Sequence, residues 1–515
     1  MKKLFLGLTI LIIFTIAAVY TVLFTKTGNS FVASYIENKV NNEQNDIKFK
    51  INDFTLTFNT INFSATISDN SNIDISGDLA LFATRVNLKY DIKIKELAKL
   101  ERLLKQKLNG SFSTSGTIIG DSKFSEVKGI SSLAQSQTTY DLVLEDFEAK
   151  KINFDISNAK IDKLLHILNQ PIYADGILNM NGNIDDARPE TLSGIVKTQI
   201  KNGTTNNKVI NTVFSQNLKK EIIFKSDSTT ILSSNKAITN SKTSSTLANI
   251  DIKNAVFTFD DAAIDANYLL NIVDLSNLYD LTSTKMRGSI LLKGNVKSEN
   301  KSLQVTGNSK LLGGVLDFNL KNNDLHANIK DIQIKELTNM LYYPNVFDST
   351  TALTLDYDIL LKKGKLKGNL VKGHFLPNDF SSLLNQFAKF DITKEVYETV
   401  DINTNIDKLI LSSDVKMKSK NTQIDIPRSI LDLEKSLIDA DIITKIKNAQ
   451  FAINLKGKTT NPKISFDSKN LISNQIDKQI DKNKEKVKEK LNKVLKGKLG
   501  ENGADEVLKN FKSLF

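Results

Sequence analysis

Residues 54–67 read FTLTFNTINFSATI. Phe54, Leu56 and Phe58 alternate with Thr55 and Thr57, Asn59-Thr60 supplies a turn, and Ile61, Phe63, Ala65 and Ile67 alternate on the return. Successive side chains of a strand point to opposite faces, so this pattern predicts strands with one apolar and one polar face. The short polar connection predicts an antiparallel hairpin. The same style recurs along the chain. Leu316, Phe318 and Leu320 run into Asn322-Asn323-Asp324, and Leu325, Ala327 and Ile329 come back. Leu353, Leu355, Tyr357 and Ile359 alternate with Thr354, Asp356 and Asp358, before a turn expected at Lys362-Lys363-Gly364. Phe451, Ile453 and Leu455 continue the pattern near the end. Alternation does not say which face is interior. Helical patterns are fewer and shorter: one from Glu96-Leu97 to Leu108, one at Phe380, Leu383, Leu384 and Phe387, and a third expected after Pro427.

A unit recurs. An Asp- or Asn-Ile dipeptide in a strand is followed by a short Leu-rich segment and then by a Gly pair six apart. The copies run from Asp91-Ile92 to Gly110 and Gly116, from Asp155-Ile156 to Gly176 and Gly182, and from Asn271-Ile272 to Gly288 and Gly294. A fourth, from Asn328-Ile329 through Leu337 and Leu341, lacks the Gly pair. The first Gly is expected to permit an unusual φ where the chain re-enters the sheet, and the second to sit at the next turn. Repeats of this kind bury apolar surface between neighbouring units, so the expected structure grows by stacking units and not as a sphere.

The 515 residues exceed one typical domain. There is no Cys, which excludes disulfides, thiolate nucleophiles and Cys-based metal sites. The three His, at 166, 326 and 374, lie far apart. No Gly-x-Ser-x-Gly elbow, phosphate loop or His-Glu-x-x-His helix is present. Acidic residues fall on the polar positions of strands. No enzymatic activity, cofactor or metal site is therefore expected.

Leu4 to Phe24 carry no charge. At 1.5 Å per residue they reach about 31 Å, enough for a hydrocarbon core of about 30 Å. Lys2 and Lys3 precede them, so the positive-inside bias places the N-terminus in the cytoplasm and the bulk of the chain across the membrane. A cleaved signal peptide would have a shorter apolar core and a small-x-small site, which Val19 to Phe24 do not offer. At the other end, Ile472, Ile476 and Ile480 begin an amphipathic helical stripe, and nine Lys lie between positions 478 and 498. Such a basic helix suits an anionic membrane or a partner protein, or folds back on the sheet. It lacks aromatics for base stacking until Phe511 and Phe515, and no nucleic-acid partner is expected. The expected layout is an anchor over 1–26, an N-terminal β region over 27–90, repeated β structure over 91–468 and a basic helical tail over 469–515.

With these features the chain resembles the AsmA-like family of bacterial inner-membrane proteins. An anchor followed at once by alternating strands matches that layout. So do Gly288-Ser289-Ile290-Leu291-Leu292-Lys293-Gly294 and Leu311-Leu312-Gly313-Gly314-Val315-Leu316. Phe451 to Ile464 look like the family's closing strand, Gly-Thr, Asp-Pro turn and final strand, with Lys458 inserted before Thr459 and Asn461 in place of Asp before Pro462. Asn before Pro favours the same turn geometry, which makes Asn461 and Pro462 turn candidates beside the glycines. Val494 to Gly500 resemble the Leu-Lys-Gly tail, with Lys498 where an apolar residue is commoner.

The resemblance implies a mainly β fold: an elongated antiparallel β-sheet trough with short helices, related to bridge-like lipid-transfer proteins. It implies an inner-membrane-anchored periplasmic protein that moves phospholipid between membranes and serves outer-membrane homeostasis. Phe54, Leu56, Phe58, Leu316, Phe318, Leu320, Leu353, Leu355, Tyr357, Ile359, Phe451 and Ile453 are then the candidate lipid-facing residues. The competing expectation is a lipid-free scaffold or assembly factor for outer-membrane proteins, recruited through the polar face and tail. A weaker third is a module that regulates a membrane enzyme. An open apolar face favours the first, a closed and filled sandwich the second.

Overall fold

The computed structural model describes residues 24–467 apart from 44–47, 69, 81–83 and 448. The transmembrane anchor expected over residues 4–24, save Phe24, and the tail expected over 469–515 lie outside the described residues. Among the described residues no helix is long and apolar enough to cross a membrane.

The fold is mainly β, with 26 strands among the described residues, and the chain divides into two compact units, Met1–Ala266 and Asn267–Phe515. The first unit holds β1 (Phe49–Leu56), β2 (Thr60–Ile67), β3 (Ser71–Ala80), β4 (Arg85–Ile94), β5 (Phe112–Gly120), β6 (Phe124–Ser131), β7 (Gln137–Glu145), β8 (Glu148–Lys160), β9 (Ala174–Asp186), β10 (Ser193–Thr205), β11 (Ile223–Ser233), β12 (Lys236–Ser245) and β13 (Asn249–Thr258). Each pairs antiparallel with the next. β14 (Ile264–Ile272) carries the division between the units.

The second unit continues with β15 (Ile290–Glu299), β16 (Ser302–Leu311), β17 (Gly314–Lys321), β18 (Asp324–Gln333), β19 (Phe347–Asp358), β20 (Lys363–Phe375), β21 (Tyr397–Asp407), β22 (Ile410–Lys418), β23 (Thr422–Asp432), β24 (Leu437–Ile446), β25 (Ala449–Lys458) and β26 (Asn461–Asp467). These too pair antiparallel in chain order. Sequential antiparallel pairing needs only local turns. Asp146-Phe147 and Asn300-Lys301 both hold two positive φ values, the mark of the two-residue turn whose twist matches the strands it joins.

The helices are short, and all but the first sit between strands: α1 (Lys26–Glu43), α2 (Glu101–Leu104), α3 (Ile161–Ile167), α4 (Asn207–Phe214), α5 (Tyr279–Thr282), α6 (Ile334–Met340) and α7 (Asp379–Ala388). α1 replaces the start of the β region expected from residue 27. It lies along β1, which among the described residues pairs only with β2. Asn41 accepts from Phe49 N–H and donates to its carbonyl, both at 2.8 Å. Asn29 does the same for Leu56, at 2.9 and 3.1 Å, and Glu37 accepts from Ile51 N–H at 3.1 Å. A carboxamide carries the same donor and acceptor as a backbone peptide, so these side chains stand in for a missing neighbouring strand and blunt an edge open to strand addition.

The structure regroups the short repeat. The second and fourth sequence copies are β8–α3–β9 and β18–α6–β19. The first and third are β4–α2–β5 and β14–α5–β15. They nest in a larger repeat of ten strands, β4–β13 and β14–β23, with helices at corresponding places. The match runs without gaps in places: Glu96, Leu97, Gly110 and Gly116 recur as Asp274, Leu275, Gly288 and Gly294, each 178 positions on (96 to 274, 116 to 294). Both acids cap a 3-10 turn through a side-chain hydrogen bond, and Leu97 and Leu275 each donate to the carbonyl of the matching Gly.

The helix expected after Pro427 is not formed. Pro427 lies inside β23, and the registers with β22 and β24 both shift beside it. A bulge leaves a residue outside the ladder, so the missing N–H of Pro is not needed there. The helix expected over 96–108 ends at Leu104, where Lys105 turns left-handed.

Candidate functional site: the apolar faces of the two units

The period-two pattern sorts the side chains of each unit onto two faces. On the polar face, Lys128 pairs with Glu126 at 2.6 Å, Arg188 with Asp186 at 2.5 Å and Lys456 with Asp439 at 3.4 Å. The Arg188 guanidinium, the largest influence, holds the Asp186 carboxyl far below the usual carboxylate range. His326 meets Asp356 across the β18–β19 ladder at 2.6 Å. Among the described residues no cluster of three or more His, Asp and Glu is arranged to hold a metal ion.

The other face is apolar, and register carries it from strand to strand. In the second unit Leu316 faces Ile329, Ile329 faces Leu353, Leu353 faces Gly368, and Gly368 faces Ile402. A parallel row joins Phe318, Ala327, Leu355 and Leu366, and a third joins Leu320, Leu325 and Tyr357. Six of the candidates named from sequence, Leu316, Phe318, Leu320, Leu353, Leu355 and Tyr357, thus meet on one surface. In the first unit Phe54 and Leu56 face Phe63 and Ile61 in the same way, and the Phe54 and Phe63 rings meet edge to face at 6.4 Å.

Three candidates stand elsewhere. Phe58 lies beyond the end of β1 and stacks on Phe24 at 4.4 Å. Ile359 follows the last residue of β19 and sits in an exposed turn with Leu360 and Leu361; this turn precedes Lys363 and Gly364, which begin β20. Ile453 is buried in the core of the second unit, 2 % exposed. The Phe451 backbone pairs with Thr444 in β25, and its side chain lies outside the described residues.

Along β17 the face residues Leu316, Phe318 and Leu320 are half-buried, while Val315, Asp317, Asn319 and Lys321 are exposed. A second sheet packed on this face would carry the first set to full burial, as in the inner face of a sandwich. Full burial is instead concentrated near helices: Leu97, Leu100, Ile167 and Leu178 in the first unit, and Leu384, Ile392, Tyr397 and Val400 in the second.

Glycines shape the face. Gly110 and Gly288, at φ 76° and 96°, precede β5 and β15 and give the left-handed backbone that re-entry requires. Gly176 (φ 145°) lies near the start of β9. Gly116, Gly182 and Gly294 are not at turns. They lie within strands where a side chain has no room: a Cβ at Gly182 would come within 2.3 Å of Phe154 Cε1, one at Gly116 within 2.0 Å of the Lys128 carbonyl oxygen and 2.5 Å of Tyr90 Oη, and one at Gly294 within 1.9 Å of the Thr306 carbonyl oxygen and 2.7 Å of Tyr268 Oη. The turn before β26 is likewise made by Thr459-Thr460, and Asn461 and Pro462 open the strand.

One ring–glycine row occurs in both units. Tyr90, Gly116, Gly129 and Tyr140 are register neighbours across β4 to β7. Their counterparts 178 positions on (90 to 268, 140 to 318) are Tyr268, Gly294, Gly307 and Phe318. In the first row the Tyr90 and Tyr140 hydroxyls meet at 2.5 Å, and Thr114 also bonds Tyr140. Burial first, then the Tyr140 hydroxyl, push the Tyr90 phenol well above its ordinary value. In the second row Phe318 offers no hydroxyl, and Tyr268 donates instead to the Thr306 carbonyl at 2.9 Å. A concavity of about 690 Å³ at the first row is lined by Gly129, Tyr140, Phe154 and Gly182 together with Lys128 and Asp141. Rings laid on glycine leave the floor of the face low and apolar.

Reading the sequence missed Tyr90, Tyr140, Tyr268, Gly129 and Gly307. The signal was there in the repeated spacing: two glycines 13 apart (116 to 129, 294 to 307), with an aromatic 11 positions after the second. No family model, no curated protein and no solved structure matches the chain.

Proposed function

We propose that the apolar faces hold the acyl chains of phospholipids in a β-trough, with headgroups left in water. In this reading the chain is an inner-membrane-anchored envelope protein, of the kind its AsmA-like features imply, that serves intermembrane lipid transport and outer-membrane homeostasis. One observation carries it: Leu316, Phe318, Leu320, Leu325, Ile329, Leu355 and Tyr357, matched in register on successive strands, stay part-exposed beside the buried Ala327 and Leu353, and among the described residues no second sheet covers them. Each methylene removed from water contributes about 0.8 kcal/mol, so acyl chains are held without any specific polar contact. This accords with a face made of aliphatic side chains and flat rings. A lipid-free scaffold would leave the same surface wet for no return, which favours the lipid reading.

Phe318 and Leu355 both face Ala327, from opposite sides, so Phe318→Asp with Leu355→Asp places two carboxylates about two strand spacings apart on the floor. Native mass spectrometry with lipid extraction on protein purified without added lipid is the test. The wild type is expected to carry phospholipid and the double variant to lose it. A control pair on the polar face, Asn319→Asp with Thr354→Asp, is expected to keep it. Lipid-free wild type, or equal lipid in the floor variant, overturns the proposal.

A further inference from the structure

The ten-strand copies are in matching register over β11–β12 and β21–β22. Thr230 faces Thr239 as Thr404 faces Ser413, 174 positions on (230 to 404, 239 to 413). Both hydroxyl pairs bond at 2.9 Å. The flanking positions on the same face differ in kind. The second copy carries Val400, Ile402, Val415 and Met417, and the first carries Ser226, Ser228, Ser241 and Thr243 at the same registers.

Their surroundings differ as well. Val400 and Met417 are 1 % and 7 % exposed, in one core with Leu384 of α7 and Ile392. The six hydroxyl residues of the first copy are only half-buried. The corresponding helix α4 buries none of its residues, and Val213 and Phe214 are left 48 % and 57 % exposed. Thr198, opposite Ser228 on β10, widens the hydroxyl stretch to three strands. No charge shares this face: Lys225, Asp227 and Lys242 alternate to the other.

We propose that this stretch binds the uncharged, hydroxyl-bearing headgroup of an amphiphile, a sugar or glycerol, whose acyl chains lie on the adjoining apolar registers of β4–β9. The inference rests on the lipid reading of the apolar face and adds one headgroup contact to it: phospholipid headgroups stay in water, and an uncharged polyol headgroup gains this stretch as well. A hydroxyl both donates and accepts, so a surface of hydroxyls matches a polyol. A phosphate set there would be partly desolvated with no cation beside it, which is costly. With strands about 4.8 Å apart and about 3.3 Å per residue, the hydroxyls of β11 and β12 from Ser226 to Thr230 cover roughly 5 by 13 Å, and Thr198 extends them across a third strand at Ser228 alone, between Val196 and Ile200, which leaves room for about one sugar ring.

The test offers the full-length protein in detergent an equimolar mixture of monogalactosyl diacylglycerol and phosphatidylglycerol with identical acyl chains, and reads bound lipid by native mass spectrometry. Wild type is expected to retain the galactolipid about fivefold over the phospholipid, the worth of about one net hydrogen bond. Ser226→Val, Ser228→Ile, Ser241→Val and Thr243→Met together install the residues that the second copy holds at these registers. This variant is expected to bind as much total lipid with the preference gone, while Lys225→Ala with Lys242→Ala keeps it. No preference in the wild type, or an unchanged preference in the fourfold variant, overturns the headgroup site alone. Failure of wild type to bind either lipid overturns the lipid reading with it.

Discussion

Gly182→Ala tests whether the rings lie on glycine as described. Phe154 faces Gly182 across the β8–β9 ladder, and an added Cβ would sit 2.3 Å and 2.5 Å from ring atoms Cε1 and Cζ. Carbon atoms rest at about 3.5 Å or more, so the ring must lift by roughly 1.2 Å. Overpacking of this size costs about 1–3 kcal/mol. Against it, Ala in a strand interior gains about 0.5–1 kcal/mol over Gly through the smaller entropy loss on folding. A net loss of about 1–2 kcal/mol is expected. In a Phe154→Ala background the clash disappears and only the gain remains, so Gly182→Ala should then stabilise by about 0.5–1 kcal/mol. The coupling is therefore about 2 kcal/mol, read from urea unfolding of the four proteins of the cycle by circular dichroism. Distant, independent sites add within about 0.5 kcal/mol. An additive cycle, or a Gly182→Ala protein as stable as wild type, would refute the ring-on-glycine arrangement.

Other consequences are open to measurement. Asn29→Ala with Asn41→Ala removes four hydrogen bonds to β1; amide exchange at Phe49 and Leu56 should quicken at least tenfold and light scattering should show self-association, whereas unchanged exchange would mean α1 does not cap the edge. Phe318→Tyr restores in the second unit the hydroxyl pair of Tyr90 and Tyr140, and is expected to change stability by less than about 1 kcal/mol; a larger loss would mean the two rows are not equivalent. Tyr397 is fully buried, and burial pushes its phenol up to about 12 despite the hydrogen bond to Thr422. The neutral form is favoured on folding, so its contribution is complete below about pH 10 and lost as pH rises toward 12. Ultraviolet titration should show a late-ionising tyrosine that disappears in Tyr397→Phe; a profile identical in both proteins would count against it.

The strands were legible because alternation is a local property. Thr55, Asp356 and their neighbours announce a wet face within a few residues, and Asn322 announces the turn that follows. That already made the fold mainly β and antiparallel, and it gathered Leu316, Phe318, Leu353 and Leu355 as one set before any contact was known. The helix at Phe380 to Phe387 was readable for the same reason, since its period lies within the segment.

What covers a strand, and what crosses beside it, is not local. Gly182 lies under Phe154 because the β8–β9 register brings them together from 28 positions apart (154 to 182), and nothing near either residue says so. Pro427, a helix-start signal by itself, is held in a strand because ladders on both sides shift around it. Asn29, Glu37 and Asn41 read as an ordinary polar segment until α1 lies on β1, where their amides and carboxylate complete the ladder of an edge strand. Serine and threonine at 226–243 alternate as Val400 to Met417 do, so period alone makes both strands. Only the packing of α7 made the stretch of the second copy a filled core, while the first copy, where α4 buries none of its residues, keeps a half-buried, hydroxyl-lined face.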